Sequence, residues 1–357
     1  MTIIQQLFRK KLFLAGFTAV TLLFLSSMGY YLFFGDHIPH VPLQFENGDP
    51  LPPPYDGTVF PPLGSDTFGR NVAFVLFTGA KYTILAGIVI AFVRVVPAVF
   101  VAIGLHYFVP FLQKPLKNAA DAINYFPMTL FAFLLLYWIR PTAVMDTSTG
   151  VLTRNPGPDM WPAVFIYIAV LSVVFIPANA VLIANEMKRI YKKEFIASSI
   201  TLGAGKWRIL TRHMKPFIVP QVFLVGMREF IQTLLLMAHL GVLAIFIGGV
   251  TSKQDLFGIG REISVSNEWS GLLGMWWDYL YTTYPWLSAL PIIMLTLLIF
   301  AVKCMVVSLE AVLAEEAVTR DAMESDEKED EPAGQLADSR PPFQLLPAKP
   351  AESRKHY

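Results

Sequence analysis

Residues 194–220 read EFIASSITLGAGKWRILTRHMKPFIVP, and the fold turns on what this stretch is for. It carries Lys206, Arg208, Arg212 and Lys215, with Lys192 and Lys193 just ahead of it. Cations at this density do not lie in hydrocarbon, which places the stretch at a membrane surface or in the cytosol. Long apolar segments flank it on both sides. LGAG (202–205) divides it into two short helical segments. Glu194 falls in the first turn of the first segment, where a carboxylate favours the helix dipole. Gly203 and Gly205 allow a sharp turn, with positive φ open to both. Beyond them Trp207, Ile209, Leu210 and Met214 are expected to form one apolar face, and Arg208 and Arg212, four residues apart, a basic one. Pro216 and Pro220 mark the return into the membrane. A helix–glycine–helix elbow with an apolar face turned to the cytosol asks for a protein partner. Positive-inside topology accounts for most of its cations, but not for Gly203 followed by Trp207, Arg208 and Ile209.

The composition agrees with a bilayer. Of 357 residues 54% are hydrophobic and 15% charged, and the mean hydropathy is +0.51; a soluble domain carries about a quarter charged residues. Cys304 is the single cysteine, which excludes a disulfide framework and a cysteine-type zinc site. The six histidines lack metal-ligand spacing. No metal, cofactor or nucleic-acid partner is expected.

Working outward from the elbow gives an all-α integral membrane protein with six transmembrane helices. Residues 1–11 form a basic cytoplasmic arm, and 12–34 an uncharged first span, too long for the core of a cleaved signal peptide. Residues 35–80, rich in Pro and Gly, read as an external loop. The second span is 81–109, with Pro97 expected to kink it, and Lys114 and Lys117 mark a cytoplasmic turn. The third span runs from 118 through Pro127 to 139, followed by an external loop over 140–161. The fourth span covers 162–185, the fifth about 218–247 and the sixth 286–309. Between the last two lies an external segment, 248–284, in which Trp276, Trp277, Tyr279, Tyr281 and Tyr284 suit an interfacial aromatic belt. From 314 to 357 the chain reads as an acidic disordered cytoplasmic tail. Both termini are thereby cytoplasmic.

LGAGKWRILTRHMKPFIVP (202–220) resembles the cytoplasmic EAA loop of the permease subunits of binding-protein-dependent ABC importers. That pattern runs EAA-x3-G-x9-I-x-LP, often as ALGAS-x-W-R-x-I-x-x-x-H-x-x-P-x-x-x-P. Gly203 takes the place of the motif glycine, with Ala204, Trp207, Arg208, Ile209, His213, Pro216 and Pro220 in the run that follows. The E-A-A positions hold Ala197, Ser198 and Ser199, and Glu194 stands one turn earlier. A second stretch, PPLGSDTFGRNVAFVLFTGAKYTILAG (61–87), is similar to the LGTDxxGRDxxSRLxYGARxSLxxG segment of C-type permeases in the peptide/nickel group. Leu63, Gly64, Asp66, Gly69, Arg70, Gly79 and Ala80 match; Ser65, Asn71 and Lys81 depart. AADAINYFP (119–127), WSGLL (269–273) and YPWLSALP (284–291) follow the same group in order. Its usual G-D-x-L-R-D-x-L-D-P ending is replaced by AVKCMVVSLEAVLAEEA (301–317), and the acidic tail is an addition.

The resemblance implies the fold of a type I ABC importer permease: a core over 81–313 and a coupling loop over 190–216 between the fourth and fifth spans. It implies as partners a second, B-type permease, two cytoplasmic ABC ATPase subunits and an extracytoplasmic solute-binding protein, in a bacterial-type inner membrane. The cargo class it implies is peptides or a similar small solute. The chain has no phosphate-binding GxxxxGK[ST] run, so ATP hydrolysis falls to the partners and this chain is not an enzyme.

Charges inside spans are costly and are functional candidates by default. Arg228 and Glu229, as sequence neighbours, point about 100° apart on a helix and need not pair with each other. Two readings stand for them: lining of the translocation path, or structural ion pairs. His239 is a packing residue or a path residue, and Arg94 is expected to snorkel or pair. An ion-coupled secondary transporter is the alternative function, and it would rest on these same ionisable residues. A membrane-embedded enzyme is disfavoured, because no HExxH, GxSxG or paired-carboxylate site is present.

Overall fold

A computed structural model describes residues 3–139, 142–145, 152–155, 159–256, 258 and 260–329. The chain divides into two units, residues 1–311 and 312–357. The first opens with α1 (Ile3–Arg9) and α2 (Lys11–Phe34). Gly35 ends α2 at φ +60, its N–H donating to the Tyr31 carbonyl. A small hairpin of β1 (Phe45–Glu46) and β2 (Asp49–Pro50) follows.

Helix α3 (Val72–Tyr107) begins ahead of the apolar run at Lys81, because Asn71 caps it: its side-chain oxygen accepts from the N–H groups of Ala73 and Phe74. The helix continues through Pro97. Lys81 is buried and donates to both Asp36 oxygens, at 2.6 and 2.8 Å, fixing the end of α2 to α3. Next come α4 (Gln113–Asn124), α5 (Met128–Leu136) with a 3-10 turn over Tyr137–Ile139, and a hairpin of β3 (Thr142–Met145) and β4 (Leu152–Asn155). The remainder of the expected 140–161 loop up to residue 158 lies outside the described residues.

The pair α6 (Met160–Val173) and α7 (Ile176–Tyr191) is bent by 42°. The elbow supplies α8 (Glu194–Thr201) and α9 (Lys206–Arg208), a π-helical turn over Ile209–Met214, and α10 (Lys215–Val242). A third hairpin, β5 (Val250–Gln254) with β6 (Gly260–Ser264), leads to α11 (Trp269–Met275), a 3-10 turn at Trp277–Tyr281 and α12 (Pro285–Glu329).

The expected six spans become four or five among the described residues. Lys11–Phe34, Val72–Tyr107, Lys206–Val242 and Pro285–Thr319 are long and apolar enough to cross a bilayer, and the bent α6–α7 pair makes a fifth candidate. The expected third span is not among these candidates. Pro127 lacks an N–H and disfavours helix in the residue before it, so the chain breaks there. The apolar piece that remains, α5, has 9 residues; that reaches only about 13 Å against the ~30 Å of hydrocarbon. The expected tail is corrected too. Helix α12 runs on to Glu329, so the acidic region from 314 begins as helix, and 330–357 lie outside the described residues.

Among the described residues, buried clusters hold the first unit. One joins Ile90 of α3, Leu136 of α5, Tyr167 and Leu171 of α6, and Met237 and Leu240 of α10. Another joins Ala98, Ala102 and Leu105 of α3 to Ala184, Met187 and Ile190 of α7 and to residues of the elbow. Helix α11 fits against α3 and α10 at backbone distance. A Cβ on Gly79 would overlap the Asn267 carbonyl oxygen, and one on Gly241 the Ser270 carbonyl oxygen. Trp269 donates its N–H to Thr83 Oγ1 at 2.9 Å and its indole Nε1–H to the Leu76 carbonyl at 2.7 Å. Trp276 is 1% exposed, so it belongs to this packing and not to an aromatic belt; Tyr281, at 82%, stays open.

The loop ahead of α3 is organised by one ion pair. Asp66, with no exposure, accepts the N–H groups of Phe68 and Arg70 at 2.9 Å each. Its second oxygen takes Arg70 Nε at 2.7 Å. Arg70 Nη1 then reaches Asn267 Oδ1 at 2.8 Å, tying the loop to the turn before α11.

Glu268, at the N-cap of α11, is fully buried. Its carboxylate accepts from Ser264 Oγ at 2.6 Å, from Ser266 Oγ, from Ser270 Oγ at 3.3 Å and from the Ile247 N–H at 3.3 Å. Burial pushes its pKa up, and the hydroxyl donors offset only part of that. A carboxyl whose pKa is raised on folding binds its proton more tightly in the folded chain. Its contribution is therefore fully present at low pH and is lost as pH rises through the usual carboxylate range and above. Glu268→Gln carries no such charge. Thermal melts of the solubilised protein between about pH 4 and pH 8 should fall with pH in the wild type and stay flatter in the variant. Parallel melting curves for the two would show that Glu268 is not the source of the slope.

Candidate coupling elbow

Helix α8 ends where Gly203 adopts φ +83. The Ala204 N–H donates to the Ser199 carbonyl at 3.0 Å and the Gly203 N–H to the Ile200 carbonyl at 2.9 Å. These two bonds form a Schellman termination, which requires a left-handed residue at the Gly203 position. Gly205 sits at φ −68 and ψ 153, extended backbone open to any residue, so of the two glycines only Gly203 uses its freedom.

The elbow is fixed to the bundle by its inward side. Ile196, Ile209 and Met214 are 0%, 2% and 0% exposed, packed among residues of α3 and α7. Phe195 of α8 stacks on Phe217 of α10 at 5.3 Å. Tyr107 at the end of α3 donates its hydroxyl to Met214 Sδ at 3.2 Å. Leu210 and Ala204 are partly buried against the same cluster.

The outward side is different in kind. Leu202 is 89% exposed and Trp207 74%, with Ile200 at 41%. Lys206, Arg208, Arg212 and Lys215 are exposed around them, as are Glu194, Ala197 and Pro216, while His213 and Pro220 are half-buried. The apolar face expected as one is therefore two: Ile209, Leu210 and Met214 turn inward and Trp207 turns out. Leu202, the most exposed of them, was not among the residues that the sequence pattern singled out.

Arg94, Arg228 and Glu229 each form an ion pair. Arg228 and Glu229 do not pair with each other: Arg228 Nη2 meets Glu310 Oε1 at 2.7 Å on a half-exposed surface, and Glu229 meets Arg94 at 2.9 Å in the interior. Arg94 is fully buried and paired, so it does not snorkel. His239 is exposed, with Nδ1 at 3.3 Å from Thr129 Oγ1. Among the described residues no group of three or more His, Cys, Asp or Glu is placed to hold a metal ion.

The family described as "binding-protein-dependent transport system inner membrane component" matches residues 94–313, from Arg94 in α3 through the elbow and into α12. The chain belongs to this family. No curated protein matches it. It is thus a multi-pass permease subunit of a binding-protein-dependent ABC importer, a transport component and not an enzyme. The family matched implies a partner permease, ATPases and a binding protein.

For this permease the geometry gives a direct expectation. A Cβ at Gly203 would meet nothing within 4 Å, so only the backbone conformation resists substitution. A β-branched residue there costs about 1–2 kcal/mol, enough to unwind the turn. Gly203→Val should insert normally and lose ATP-dependent import, while Gly203→Asn, tolerated in left-handed backbone, should keep most of it. Import by the valine variant at the wild-type rate, measured in the reconstituted complex, would show that the turn does not serve coupling.

Proposed function

We propose that this permease is the C-type subunit of a peptide-class importer and that residues 190–216 are its coupling loop. The loop seats in a cleft on a cytoplasmic ATPase subunit. ATP-driven closure of the ATPase pair moves the loop and, through α10, the translocation path formed with a second, B-type permease. Both termini face the cytoplasm, and a solute-binding protein docks on the opposite side. The spans of this chain number six when α4–α5 and α6–α7 each count as one crossing.

The observation that carries this reading is the two-sidedness of the elbow. Ile196, Ile209 and Met214 bind it to the bundle, while Leu202 and Trp207 stand open among basic residues. An exposed aromatic close to an exposed leucine on a rigid turn suits a protein interface, since Trp is enriched among interface hot spots. The similarity of 61–87 to C-type permeases supports the subgroup and the peptide-class cargo. Arg228 and His239, both exposed, are the candidates for the translocation path; Glu229 has its carboxylate engaged by Arg94.

Uptake by the purified complex of two permeases and two ATPase subunits, supplied with the solute-binding protein, in proteoliposomes tests the proposal. Import of a labelled oligopeptide that needs ATP and the binding protein is the expected result. Import by this chain alone, driven by an ion gradient without ATP, would replace it with the secondary-transporter reading.

A further inference from the structure

Arg94 lies in the middle of α3 with no exposure, and it makes three contacts to two other elements. Nη1 donates to Glu229 Oε2 of α10 at 2.9 Å. Nε donates to the Leu171 carbonyl near the end of α6 at 2.8 Å. The guanidinium carbon stands 3.8 Å from the ring centroid of Phe175, which lies in the break between α6 and α7.

The Leu171 carbonyl is available because the helix is broken. In an unbroken helix it would accept the N–H of Phe175, four residues on. Here the Phe175 N–H donates to the Ser172 carbonyl at 3.1 Å instead, and the next helix, with Pro177 in its first turn, sets off at a changed angle. Arg94 thus takes up a carbonyl that the bend sets free, and it places positive charge at the C-terminal end of α6, where the helix dipole favours it. One side of the guanidinium answers to the α6–α7 bend and the other to the position of α10. Helix α10 in turn is helically continuous with the elbow, from Lys206 through the π turn to Val242.

We propose that Arg94 and Glu229 form a latch that couples the position of α10, and hence of the elbow, to the bend of the α6–α7 pair. The inference rests on the coupling-loop reading given above and adds to it the route by which elbow movement reaches a membrane helix. Stability alone is a poor reason for such a pair. Replacing a buried ion pair by apolar residues of similar volume is often neutral or stabilising, whereas removing one partner is strongly destabilising. What the pair supplies is a defined geometry among three elements, with one arrangement in which both the ion pair and the Leu171 bond are made. A displacement of α10 relative to α3 breaks the first, and straightening of α6–α7 removes the second. Arg94 and Glu229 are in this sense positioning residues for transport.

The experiment uses the complete complex in lipid nanodiscs and reads the stimulation of ATP hydrolysis by the solute-binding protein, with thermal stability alongside. The apolar pair R94M/E229L should assemble with a melting temperature lowered by no more than the loss of the one Leu171 hydrogen bond accounts for, and its stimulation should fall about tenfold. Wild-type stimulation in this variant overturns the latch. Failure of the variant to assemble overturns it too, because the pair is then a requirement of folding. Trp207→Ala in the same assay separates the latch from the reading beneath it. If Trp207→Ala is stimulated normally, the coupling reading fails and the latch with it. If Trp207→Ala loses stimulation while R94M/E229L keeps it, the latch alone fails.

Discussion

Asp66→Ala should lower the melting temperature of the solubilised permease by about 10 °C, more than any surface charge change in the same protein. The expectation follows from what the carboxylate holds. Asp66 is fully buried, takes the guanidinium of Arg70 through Nε and Nη2 at 2.7 Å each, and accepts two backbone N–H groups of its own turn. Removing it leaves Arg70, only 8% exposed, as a buried cation that has lost its carboxylate, together with two N–H donors lacking an acceptor. Breaking a buried pair in this way costs about 3–5 kcal/mol, and at roughly 2–4 °C per kcal/mol the fall in melting temperature follows. The loss should spread to α11, because Arg70 also holds Asn267, whose carbonyl packs on Gly79 of α3. Asp66→Asn keeps an acceptor for the turn and should lose less. Equal melting curves for Asp66→Ala and the wild type would mean that the loop is held by something other than this pair.

That loop was legible in the sequence as a motif, and its partner was not. LGSDTFGR marks a turn by its Asp, its glycines and its Arg, but Asn267 stands 197 residues away from Arg70, where spacing carries no signal. The same holds for Arg94 and Glu229, 135 residues apart. A charge within an apolar run announces that it needs a partner; only the packing of α3, α6 and α10 names it. The elbow was read further. Gly203 was expected to turn the chain, and its φ of +83 agrees. The facing of the residues after it departs from the single apolar face expected, for a local reason. Trp207 and Met214 are two α-helical turns apart and would share a face in a regular helix, but the wider π turn over Ile209–Met214 rotates one away from the other. The expected third span is broken at Pro127, whose effect on an apolar run depends on whether neighbours restore the lost helix bond. In this chain the helix stops before Pro127 and restarts at Met128, whereas α3 passes through Pro97 and α10 through Pro220.

The elbow's two sides give the second large effect. Trp207→Ala should weaken association with the ATPase subunit about 30-fold, the equivalent of ~2 kcal/mol for an aromatic interface anchor. Leu202→Ala should act in the same direction. Neither should change the melting temperature of the isolated permease, because side chains 74% and 89% exposed have little packing to lose. Ile209→Ala is the counterpart. At 2% exposure, in the cluster that holds α3 to α7, it should cost about 2–5 kcal/mol of stability, and it should lose ATPase binding only because the elbow comes loose. The contrast is what identifies an interface. A residue that binds a partner affects association at constant stability, whereas a residue that holds the elbow in place affects both. If Trp207→Ala and Leu202→Ala retained full ATPase association in pull-down and light-scattering measurements, the exposed ridge would not be the docking surface.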